Sequence, residues 1–391
     1  MTNDPALRGR DIFTALAVAL LTVVLLTGAI EGAGWLLYRE SSTTTLPCLV
    51  INDRSTGVTA IPGSECHQRS RESTLVDYRF NRCGHRMPVD CGPKPAGTLR
   101  IVLIGSSFGY GMHVDQDQSF ATRLPQLLTQ QTGAKVDLYN ESMQWGFPSS
   151  VILRLDEVIA AQPDVILWPI TPTDIGSAEL ITPQWLGSPA TAAPPLSAWQ
   201  RVLHAWAEKG PAGFFGTIRD RIDDYLNDTG FMFLLKHVLY QNGDFYIRQY
   251  LARQDDGIAY LRTTPSAVLD HHLQRFAECL AEVRRRASAA GAIVVVTSIP
   301  DRAQAAMISR HEWPAGADPY RFGNAIRRIA EDQGVTYLDV PRRFSTITSP
   351  ERHYFPLDGH PDAQGHAVIA ATLAGAMLDA RVLSGLKAGA Q

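Results

Sequence analysis

The chain lacks any basic excess: 36 Lys and Arg face 39 Asp and Glu, for a formal net charge of -3. That balance disfavours a polyanionic partner, and no nucleic acid is expected. It also lacks a C-x-x-C pair among its 5 cysteines, which leaves a zinc site weakly supported. No internal repeat or low-complexity tract is present. What remains is a chain of 391 residues, 45% hydrophobic, with ample material for a large core.

Charge is absent altogether from Ile12 to Ile30, "IFTALAVALLTVVLLTGAI". At about 1.5 Å per residue this run just spans a hydrocarbon core. It exceeds the usual h-region of a cleaved signal, and no convincing A-x-A site follows, so an uncleaved anchor is expected. Arg8 and Arg10 precede it, whereas Glu31, Arg39 and Glu40 follow, which puts the amino end in the cytoplasm and the main domain in the periplasm or outside the cytoplasm. Trp35 and Tyr38 suit the far interface, so the membrane contact covers residues 12–38.

Cys48, Cys66, Cys83 and Cys91 crowd into the segment beyond the anchor. In an oxidising compartment four clustered cysteines read as two disulfides of unknown pairing. Zinc, with His67 or His85 as further ligands, is the rival. Cys279, in "LDHHLQRFAECLAEVRRRA", reads as a buried thiol on an amphipathic helix.

Past Lys94 short apolar runs alternate with helical stretches. The runs are Ile101–Ile104, Lys135–Tyr139, Val165–Trp168, Ile293–Ile299 and Val335–Val340. Nearly continuous branched residues fit strands covered on both faces, which predicts a doubly wound α/β domain with a parallel sheet. The rhythm stops over about 176–265, where Trp185, Trp199, Trp206, Phe214, Phe215 and "TIRDRIDDYLND" suggest a mostly helical insertion. Its aromatics form either a platform for sugar or acyl groups or the insertion's own small core. The organisation is thus 1–40, tail and anchor; 41–94, a Cys-rich lead-in; and 95–391, the α/β domain with its insertion.

"RIVLIGSSFGYG" places Ser106 and Ser107 where a strand ends and a helix begins, the edge at which open parallel sheets gather ligands. Backbone N–H groups of the following turn are ready oxyanion donors there. Near the carboxyl end, "YFPLDGHPDAQGH" sets Asp358 and His360 before Pro361, which suits the first position of a helix, with Asp362 favourable to its dipole. A neutral His360 can take a serine proton while Asp358 fixes its tautomer. A metal cluster of His353, Asp358, His360, Asp362 and His366 matches no familiar ligand pattern, and neither metal nor cofactor is expected. His366 reads as a packing or hydrogen-bonding residue.

Together these residues resemble the SGNH/GDSL hydrolases. The resemblance implies a flavodoxin-like three-layer α/β/α domain. "IGSSFGYG" is similar to the family's first block, with Ser106 in place of its Asp, so that Ser107 becomes the nucleophile and an oxyanion donor. "LDGHPDAQGH" resembles the last block at D-x-H spacing, as in relatives that act in periplasmic alginate acetylation. "YNESMQWG" stands where a second block supplies a glycine N–H, with Ser142 and Gly146 as candidates. "PDVILWPITPTDI" resembles the third block, G-x-N-D, with Thr171 and Thr173 replacing Gly and Asn and Asp174 retained. "YRFNRCGHRMPVDCGPKPAGTLRI" is similar to the lead-in of membrane-anchored members linked to surface polysaccharides.

Two readings stay open at this point. One is an exported, anchored serine esterase or O-acyltransferase acting on acyl esters of a glycan, with a polysaccharide-export or acyl-donor membrane partner. The other is a non-catalytic glycan-binding or assembly protein on the same scaffold, because fold alone does not establish activity.

Overall fold

The structure, a computed structural model, describes residues 9–38, 46–52, 57–176, 229–253 and 256–383. Most of the expected insertion, with Trp185, Trp199, Trp206, Phe214, Phe215 and "TIRDRIDDYLND", lies outside the described residues. Two compact units are formed. The smaller contains the helix Gly9–Leu37 and the first ten residues of the helix Gly230–Tyr240. Within the former, Ile12–Leu37 is 26 residues long and contains an 18-residue stretch of mean hydropathy 2.4, long and apolar enough by length and composition to cross a membrane.

The larger unit joins the lead-in to the α/β body. Two antiparallel hairpins open it: β1 (Leu49–Asn52) with β2 (Gly57–Ala60), and β3 (Glu65–Gln68) with β4 (Val76–Arg79). The pairing left open by the sequence is Cys48–Cys66, which ties the first hairpin to the second, and Cys83–Cys91. No thiol of this cluster is left for zinc, and Cys279 is the free cysteine, half-buried on the helix Ala267–Ala289.

Every predicted apolar run overlaps a strand of one parallel sheet: β5 (Thr98–Leu103), β6 (Lys135–Asn140), β7 (Val165–Ile170), β8 (Ile293–Ser298) and β9 (Thr336–Leu338). Their order is β6-β5-β7-β8-β9, the flavodoxin-like arrangement whose switch point lies beside the first strand of the sheet. Alternate side chains feed opposite faces. Ile101, Leu103, Leu167 and Val295 join one core with the helices Phe120–Thr132 and Ala363–Asp379; Val102, Ile166, Trp168 and Val296 join the other with Ala267–Ala289 and Arg321–Asp332. Three layers follow directly from strands that are apolar on both sides. β9 stops two residues short of the predicted Val340, because Asp339 accepts from the Arg342 N–H and starts the helix Val340–Phe344.

The lead-in is packed into this body. Val76, Tyr78 and Phe80 share a core with Tyr110 and Met143 from the loops after β5 and β6, and the rings of Tyr78 and Tyr110 stack at 5.5 Å. Arg86 is buried, lies over the Tyr78 ring, and donates to the carbonyls of Tyr110, Gly111 and Val114. His85, also buried, sits 3.0 Å from a Glu141 carboxylate oxygen and 3.1 Å from one of Glu157, both of which also pair with Arg154. Burial opposes a charged His85, but the two carboxylates outweigh it and push its pKa up to about 9.

A base with a raised folded pKa stabilises fully below its unfolded value and loses that contribution as pH climbs through the folded value. The unfolding free energy should therefore fall by roughly 3 kcal/mol between pH 6.5 and 9 on account of His85. Denaturant melts across that range should show the decline in the native chain and a much flatter profile in His85→Gln; equal slopes would contradict the ion cluster.

Candidate active site

Ser107 opens the short helix Ser107–Tyr110 directly after β5, with Ser106 as its extended N-cap. Gly105 has a φ of +143°, and a Cβ there would stand 3.3 Å from the Pro169 carbonyl, so only glycine turns the strand this sharply beside β7. The two serines then part company. Ser107 is half-buried and points to His360, whereas Ser106 is buried and hydrogen-bonds the Asp174 carboxylate.

The segment Phe355–His360 is a tight loop closed by Phe355 N–H to His360 carbonyl and Gly359 N–H to Phe355 carbonyl bonds. Gly359 adopts φ +85°, which lets the side chains on either side of it meet. His360 Nδ1 lies 2.6 Å from Asp358 Oδ1, and its Nε2 lies 2.7 Å from Ser107 Oγ. Burial raises the Asp358 carboxyl, but His360 and His113 overcome this and hold it well below the usual carboxylate range. A hydroxyl, an imidazole and an ionised carboxylate in this sequence can generate an alkoxide-like nucleophile while holding the imidazole in one tautomer.

The helix after this loop differs from expectation. It begins at Ala363, not at Pro361, because Asp362 is its N-cap and accepts from the N–H groups of Gln364 and Gly365. Pro361 instead pairs with Tyr354 in an isolated bridge. His366 is buried, accepts from Phe120 N–H at 3.3 Å and stacks on the Phe120 ring. Burial, reinforced by the Arg86 charge, drives its pKa down to about 3. With Asp362 and His366 so occupied, the five-residue metal set named from the sequence is not assembled.

The oxyanion candidates separate as well. The Ser142 N–H donates to Asn140 Oδ1 and the Gly146 N–H to the Met143 carbonyl, so neither is an open donor. The Ser142 hydroxyl is buried beneath Gly109, and Gly146 packs on the Gly105 carbonyl. The Ser107 N–H, first in its helix, has no intrahelical acceptor. Thr173 is exposed on the helix Pro172–Gly176. Thr171 is buried, and its N–H donates to Asp174 Oδ2 at 2.7 Å.

Three residues of the site carry no signal in the sequence. His113 Nε2 lies 3.2 Å from Asp358 Oδ2, the oxygen that His360 does not use. Its own backbone N–H is held by the Tyr78 hydroxyl. Glu72 accepts from the N–H groups of Leu357 and Asp358, fixing the loop that presents the carboxylate. Tyr78 and Glu72 both belong to the lead-in.

No protein-family model and no curated sequence matches the chain. Among solved structures, the chain is similar to LAE5, an alpha/beta hydrolase enzyme from the metagenome of Lake Arreo, Spain, at 14% identity and a TM-score of 0.39, covering 73% of this chain and 97% of that one. It is similar to a mutant of Axe2, an acetyl-xylooligosaccharide esterase from Geobacillus Stearmophilus (12%, TM-score 0.37, 74% of this chain and 96% of that one). A third is the psychrotrophic esterase EstA from Pseudoalteromonas sp. (11%, TM-score 0.34, 72% and 97%). All three likenesses are distant.

Asp174 supplies a test of the buried floor of the site. Burial outweighs its bonds from Ser106 and Thr171 and raises its pKa to about 6. An acid raised in the folded state keeps its proton there after the unfolded chain has lost it, so stability falls between about pH 4 and pH 6 and the loss is complete above that. Asp174→Asn should remove this fall. Parallel stability profiles for the two proteins over that interval would refute the assignment.

Proposed function

We propose that the chain is an exported, membrane-anchored serine esterase or O-acyltransferase of the SGNH type, acting on acyl esters of a surface glycan, with acetyl as the favoured group. The observation that carries this reading is the continuous contact from Ser107 Oγ through His360 to Asp358, at 2.7 Å and 2.6 Å. The apolar amino-terminal helix and the two disulfides support export and anchoring. The glycan is supported by the lead-in's resemblance to polysaccharide-linked members.

In this mechanism Ser107 Oγ attacks the ester carbonyl as His360 Nε2 takes its proton. Asp358 stabilises the imidazolium by accepting from Nδ1–H. The oxyanion receives the Ser107 N–H, while the place that the resembled family fills with an asparagine amide holds only the shorter, rotatable hydroxyl of Thr173. Collapse breaks the ester C–O bond, and His360 returns the proton to the departing alcohol. The acyl group is left on Ser107. Water or a sugar hydroxyl then attacks it, activated by the same histidine, and either hydrolysis or transfer results.

A fluorophosphonate probe on the full chain in detergent should label Ser107, as read by peptide mass spectrometry. Label on Ser106, or none on folded protein, would overturn the nucleophile. His360→Ala should lower turnover of a small acetyl ester on the order of 10⁴-fold with the thermal transition nearly unchanged.

Thr173 tests the oxyanion hole. A missing amide donor costs about 10² to 10³ in turnover. Thr173→Asn should therefore raise turnover at least several-fold, with stability changed by less than about 1 kcal/mol as expected for an exposed position. A rate that is unchanged or lower in a folded variant would mean that the hole is complete without it.

A further inference from the structure

The helix Gly230–Tyr240 starts against the end of the apolar helix, 199 residues upstream in sequence. One Glu31 carboxylate accepts from Gly230 N–H at 2.8 Å and from Phe231 N–H at 3.0 Å. It thereby satisfies two of the donors that any helix start leaves open, and it lies at the positive end of the dipole. The backbones touch: a Cβ on Gly34 would stand 2.8 Å from Gly230. Tyr38 then packs its ring 5.0 Å from Phe233 and 5.2 Å from His237, which are one turn apart on the same helix face.

The opposite face is apolar and open. Phe231, Leu235, Val238 and Leu239 are 36%, 39%, 58% and 38% exposed. Their spacing of i, i+4, i+7 and i+8 makes one stripe down the helix. At about 1.5 Å per residue, Ile12–Ile30 already fills a hydrocarbon core, so the turns from Glu31 to Tyr38 stand in the interfacial layer. A helix that begins at Glu31 and Gly34 therefore begins at that depth. A carboxylate there is costly unless its oxygens are bonded, and the two N–H groups meet that need.

We propose that Gly230–Leu239 lies in the membrane interface, with its stripe covered by acyl chains of the leaflet at the carboxyl end of the span. The occupant is assigned by continuity, because the stripe extends the exposed apolar surface of Ile12–Leu37, which the anchor reading places in lipid. The chain then meets the bilayer twice. This rests on the reading of Ile12–Leu37 as an anchor.

The test is spin-label accessibility on the full chain in phosphatidylcholine–phosphatidylglycerol vesicles, in a Cys279→Ser background. Single labels are placed at Leu20→Cys in the span, Val238→Cys and Leu235→Cys in the stripe, and Gln130→Cys on an exposed helix of the larger unit. Labels on Leu20, Leu235 and Val238 should collide freely with oxygen and at least ten-fold less than Gln130 with a water-soluble nickel chelate. Stripe labels that match Gln130 while Leu20 is immersed would overturn the proposal and leave the anchor standing. Stripe labels shielded from both quenchers would mean that protein covers the face, which also overturns it. Leu20 matching Gln130 would overturn the anchor and the proposal together.

Discussion

Arg86 spends its buried guanidinium on the main chain: its donors reach the carbonyls of Tyr110, Gly111, Val114 and Asp77. Those first three carbonyls belong to the turn that immediately follows the Ser107 helix, and no regular ladder would otherwise satisfy them. Leaving a buried carbonyl unpaired costs about 1–3 kcal/mol, so this one side chain holds a loop that backbone pairing could not. The turn that follows Ser107 thus depends on a residue of the lead-in, and the lead-in in turn is held by two disulfides and a small aromatic core. The lead-in and the α/β body are one compact unit.

The same site sorts its two carboxylates by environment. Asp358 meets two imidazoles and is held low, which keeps it anionic and able to orient His360. Asp174 meets a hydroxyl and an amide in a fully buried pocket and is pushed up to about 6. Opposite displacement of two acids, one bonded to His360 and one to Ser106, gives a single site an ionised partner and a group that titrates near neutrality. Ser106 stands on Asp174, so the residue next to the nucleophile is fixed by a hydrogen bond instead of by the carboxylate common at that place in the resembled family.

The five strands were legible because each is apolar on both faces and closed by turn residues, a signal contained within six or so positions. The meeting of Ser107, Asp358 and His360 was legible because glycine-flanked serine and D-x-H are local patterns tied to strand and helix ends. His113 and Glu72 were not. Their contacts to Asp358 and Leu357 span 245 and 285 positions, and a lone histidine in "GYGMHV" looks like any core residue. Local reading also failed for the N–H groups of Ser142 and Gly146, since whether a donor is open depends on which carbonyl or amide folds onto it. The start of the final helix moved by two residues for a similar reason: a capping aspartate outweighs a well-placed proline.

Ser107 and His360 are 253 positions apart, and four of the five strands of the sheet precede the loop that carries His360 by more than fifty residues. A chain with its first three hundred residues in place would already hold its serine, its oxidised hairpins and most of its sheet. It would still lack the imidazole that meets Ser107 Oγ at 2.7 Å in the folded chain. The contact between the two side chains is therefore made only when the loop Phe355–His360 folds back onto the turn after β5, so that its geometry reports on the closure of the whole sheet between them.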